Sequence, residues 1–105
     1  MPFDGHEDHR ITLQEAAEMT KRYRDQMTAT EIKGGYFGRD AIEEILEQPD
    51  CVGIRYYYGL DTNGSQVLVL TGVLANENDM QNGALMERSR PCPPACGSPN
   101  QLNSN

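Results

Sequence analysis

The chain has 105 residues with sixteen acidic side chains against nine basic ones, so it is sized for one domain, and its net charge of −7 opposes nonspecific binding to nucleic acid or to an anionic membrane. Leu, Ile, Val and Phe number only 19 of 105, a composition close to that of disordered chains, but 16 of the 19 lie between Ile11 and Leu74. A foldable centre therefore carries two polar flanks.

The N-terminal arm, residues 1–10, is acidic where a signal peptide would be basic and then apolar, and no apolar run reaches the length of a membrane span. These features point to the cytoplasm. Thr12-Leu13-Gln14-Glu15 has the form of a capping box and predicts a helix start. Leu13, Ala16, Ala17, Thr20, Tyr23 and Met27 recur at spacings of three and four, which predicts one core-facing stripe. Gly34-Gly35 should end the segment as a flexible connection with positive φ, a better account than a phosphate loop, since no strand of parallel-sheet type precedes and no G-K-[ST] follows. A second helix is expected to start from Gly38, bury Ile42, Ile45 and Leu46, and stop before Pro49.

Cys51 to Tyr58 and Gln66 to Leu74 are rich in β-branched and aromatic residues and flank Asp61-Thr62-Asn63-Gly64-Ser65. A type I turn with Gly64 in the left-handed region pairs Asp61 with Ser65. Counting outward, Tyr58 faces Leu68, Tyr56 faces Leu70, Ile54 faces Gly72 and Val52 faces Leu74. The other face carries Tyr57 with Val69, Arg55 with Thr71 and Gly53 with Val73. One face suits the helices; the second, with Tyr57, Val69 and Val73, asks for a cover and is the expected interface. Ala75 to Gly83 reads as a polar connector and Ala84-Leu85-Met86 as a brief strand. The expected fold is α+β, two helices packed on an antiparallel hairpin-based sheet over residues 11–86, followed by an extended Pro/Cys-rich arm over 87–105.

That arm, with prolines at 91, 93, 94 and 99, holds Cys92 and Cys96 on a segment unsuited to helix or central strand. Three cysteines leave one unpaired in any scheme. The strings Gly-Gly-Tyr-Phe-Gly-Arg-Asp-Ala-Ile, Cys-Val-Gly-Ile-Arg-Tyr-Tyr-Tyr-Gly-Leu-Asp and Pro-Cys-Pro-Pro-Ala-Cys-Gly-Ser-Pro-Asn together resemble a group of short bacterial hypothetical proteins, over Ile11 to Asn100. The group has no assigned activity, so the resemblance carries over no site residues and implies only that hairpin and arm belong together.

The residues offer two functional classes. No nucleophile-base-acid order or calcium loop stands out, and Glu43, Glu44 and Glu47 read as a solvated helix face, so the chain reads as a non-catalytic, cofactor-free structural or interaction module acting through self-association, most simply as a homodimer. The alternative is a small zinc or thiol-redox protein using Cys51, Cys92 and Cys96, with His6 or His9 as a further ligand. Its C-x3-C spacing departs from the usual zinc pairs. The pair Cys92 and Cys96 is also expected to be close enough to bond, leaving Cys51 buried and unmodified.

Overall fold

The computed structural model describes residues 2–28 and 31–104. Its elements are α1 (Leu13–Asp25), β1 (Gly34–Tyr36), α2 (Arg39–Leu46), β2 (Cys51–Leu60), β3 (Gln66–Leu74), β4 (Leu85–Met86) and β5 (Arg90–Cys92). The fold is α+β, with antiparallel sheets in the orders β1-β5 and β2-β3-β4. The chain divides into two compact units, Met1–Glu7 with Phe37–Ser89, and Asp8–Tyr36 with Arg90–Asn105. The hairpin and the Pro/Cys segment thus fall in different units, and so do the two helices.

In the first unit the turn chemistry sets the register. Asp61 N–H donates to the Ser65 carbonyl at 2.9 Å and Gly64 N–H to the Asp61 carbonyl at 3.0 Å, with Gly64 at φ 82°. The Asp61 carboxylate also accepts from the Asn63 and Ser65 amides, tying the loop to its own side chain. From there Tyr58 pairs with Leu68, Tyr57 with Val69, Tyr56 with Leu70, Arg55 with Thr71, Ile54 with Gly72 and Gly53 with Val73. The expected Val52–Leu74 pair is corrected: a register shift between Cys51 and Gly53 sets Cys51 against Leu74. A bulge absorbs the extra residue where the strand begins, and such a change is invisible to counting from the turn. β4 pairs Met86 with Leu70 and Leu85 with Thr71.

α2 starts from Gly38 in extended conformation and packs on β2 and β3. Ile45 is fully buried and Leu70 is buried on the face under α2, while Val73 is buried on the opposite face of β3. Gln48, just beyond α2, donates from Nε2 to the Ile45 carbonyl at 2.9 Å and accepts at Oε1 from the Ala84 amide at 2.7 Å. A Cβ at Gly72 would stand 2.9 Å from Gln48 Nε2 and from Met80 Sδ, and 3.1 Å from Cys51 Sγ. Glycine at 72 therefore lets the end of α2 close onto the face that carries Ile54 and Leu70. The N-terminal residues dock here too: Phe3 N–H donates to the Ala75 carbonyl at 2.9 Å.

In the second unit the Thr12 hydroxyl accepts from Glu15 N–H at 3.1 Å and the Glu15 carboxylate accepts from Thr12 N–H at 3.2 Å, the reciprocal capping box. The stripe of α1 is only half-buried at Ala16, Ala17, Thr20 and Met27, while Leu13 and Tyr23 are exposed. This corrects the expected core-facing helix, because a unit so poor in large apolar side chains offers α1 no core. Gly34-Gly35 is a second correction. Instead of a positive-φ connection it forms β1, with Gly34 against Cys92, Gly35 against Pro91 and Tyr36 against Arg90. A two-stranded ribbon has open edges and so tolerates Pro91 without a donor. After β5 the chain turns through the Cys92–Cys96 disulfide into a loop in which Asn100 and Asn103 exchange hydrogen bonds. Arg24 donates to the Leu102 and Ser104 carbonyls, and Lys33 to that of Asn103.

Candidate functional site

β2 is the outer strand of its sheet, and among the described residues no second strand pairs with it. Its open side follows from the turn. Because the Asp61 amide points at β3, the alternating pattern of an antiparallel ladder turns Gly59, Tyr57, Arg55 and Gly53 inward as well. The amides and carbonyls of Ile54, Tyr56, Tyr58 and Leu60 therefore point away from the sheet. The same stretch is apolar and exposed: Tyr58 is 70 % and Leu60 74 % accessible, and the Tyr56 and Tyr58 rings meet edge to face at 5.7 Å. Tyr56 holds the Tyr58 phenol protonated above its ordinary range. An edge without proline or acidic residues, flanked by aromatic rings, suits strand pairing.

The other face of β2 is organised by Asp79. Its carboxylate accepts from Arg55 at 2.6 Å and from the Tyr57 hydroxyl at 2.5 Å, and Arg55 also donates to the Glu77 carbonyl at 2.9 Å. The Tyr57 hydroxyl first, and Arg55 with it, keeps the Asp79 carboxyl below its usual range; the same bond raises the Tyr57 phenol. Arg55 stands 5.8 Å over the Phe3 ring, a cation–π placement. Of the three residues expected at an interface, Tyr57 is exposed and Val69 half-buried, but Val73 is only 3 % accessible and bridges to Asp79 across the connector. Val73 is thus removed from any external surface. Nothing in the sequence marked Asp79 or Gln48, which lie in polar stretches without periodicity.

The cysteines and histidines separate. Cys92 and Cys96 form a disulfide with Cα atoms 4.8 Å apart, Cys92 half-buried and Cys96 exposed. Cys51 belongs to the hairpin unit, is free and half-buried rather than buried, and lies 3.2 Å from the Gly53 carbonyl. His6 and His9 are exposed. Among the described residues no group of three or more His, Cys, Asp and Glu side chains is placed to hold a metal ion. Zinc ligation by Cys92 and Cys96 would first require reduction of their bridge. Among the described residues no helix is long and apolar enough to cross a membrane. Comparison with protein-family models, curated proteins and solved structures returns no match.

Proposed function

We propose that this protein is a non-catalytic interaction module that acts by associating with itself. The observation that carries the reading is the open edge of β2, which presents unpaired main-chain groups beside Tyr56, Tyr58 and Leu60. A three-stranded sheet over a small core gains most from a further strand, and a second copy supplies one. The resulting assembly is a two-fold dimer. Sedimentation equilibrium at micromolar concentration tests the proposal: a dimer supports it, and a monomer with full thermal stability overturns it.

A further inference from the structure

We infer that the two copies join by pairing β2 with β2 antiparallel, in the register that sets Tyr57 opposite Tyr57 of the second copy. This rests on the self-association reading and specifies its interface. Strand β2 is its own complement, because Ile54, Tyr56, Tyr58 and Leu60 turn their amides and carbonyls outward. In the proposed register Ile54 meets Leu60 of the second copy and Tyr56 meets its Tyr58. All four outward residues of each strand then engage, giving about eight main-chain hydrogen bonds by the alternating pattern of an antiparallel ladder.

The neighbouring registers fail for reasons visible in the fold. A shift by two residues towards the strand start brings Val52 against Leu60 of the second copy. Gly5 already occupies that approach, since a Cβ there would lie 2.7 Å from the Val52 carbonyl oxygen. A shift the other way sets Ile54 against Thr62, inside the turn, and the ladder loses its outer pairs. The preferred register also places Arg55 opposite Gly59 of the second copy, so the strand's only charged side chain meets neither a like charge nor a bulky residue. On the opposite face Tyr56 and Tyr58 of both copies come together, covering the rings left exposed in one chain.

Two measurements test this together. Tyr57 is a non-hydrogen-bonded pair in the proposed ladder, with Cα atoms about 4.5 Å apart, within disulfide reach. Under mild oxidation Tyr57→Cys should give a covalent dimer on a non-reducing gel, whereas Tyr56→Cys and Tyr58→Cys should give no more than wild type. Tyr58→Pro removes an outward amide that the hairpin does not use, so the strand signal should persist by circular dichroism while the dimer dissociation constant rises roughly tenfold to a hundredfold. A wild-type dimer that crosslinks through Tyr56→Cys or Tyr58→Cys instead overturns the register and leaves self-association standing. A dimer untouched by Tyr58→Pro overturns strand pairing. A wild-type monomer overturns both readings.

Discussion

In the hairpin unit, β2 and β3 pair without a break from Gly53–Val73 to Leu60–Gln66, and fully buried Ile45 reaches them from α2. In the other unit three residues of β1 meet three of β5, and no side chain of α1 is buried. The first unit rests on burial and a long ladder, the second on local devices: a capping box, a disulfide, and Arg24 and Lys33 donating to carbonyls of the last turn. The difference follows from where the apolar residues are. β-Branched and aromatic side chains concentrate in β2 and β3, and the flanks, having few, use hydrogen bonds and a covalent link in place of a core.

The contrast breaks most readily at Ile45. Ile45→Ala leaves a cavity under the hairpin and should cost about 2–5 kcal/mol in urea unfolding. Amide exchange should accelerate along β2 and β3 and stay unchanged in α1; equal acceleration in α1 would show that the two units share one stability.

Replacing Cys92 and Cys96 together by serine should lower stability by about 2 kcal/mol, because the bridge closes only a short loop. The loss should appear as faster exchange in β1 and β5, with the hairpin amides unaffected. Slower exchange, or a change confined to the hairpin, would contradict the division of labour.

The smallest expected effect is one of pH on the Asp79 cluster. Asp79 titrates below the ordinary carboxylate range, so its contribution is present above its unfolded value and is lost as pH falls through the folded one. Tyr57 is raised, so its contribution is present below the unfolded phenol value and is lost as pH rises through the folded one. Melting temperatures of wild type and Asp79→Asn should therefore converge in acid, and the variant should lack that acid-dependent step. A parallel offset at every pH would mean that the cluster acts through shape alone.

Much of the hairpin and the helix starts was legible in sequence because their causes are local. Asp61 to Ser65 contains the whole turn, Thr12 and Glu15 the whole cap, and the two-residue period carries the register outward from the turn as far as Gly53. The candidate edge was visible only as a run of tyrosines, since whether a strand lies inside or outside a sheet depends on which segment takes its second side. That choice fell to β4, which took β3 and left β2 open. Tertiary structure alone also brought Asp79 to Arg55 and Tyr57, fitted Gln48 between α2 and Gly72, and recruited Gly34-Gly35 as a strand for the proline segment. Asp79 lies more than twenty residues from Arg55 and Tyr57, as does Gln48 from Gly72 and Gly34 from Cys92, and a pattern within a window of a few residues holds no record of such partners. The chain's own order set what each segment is able to form, while the shortage of apolar side chains outside Ile11 to Leu74 left long-range hydrogen bonds to decide what each polar segment joins.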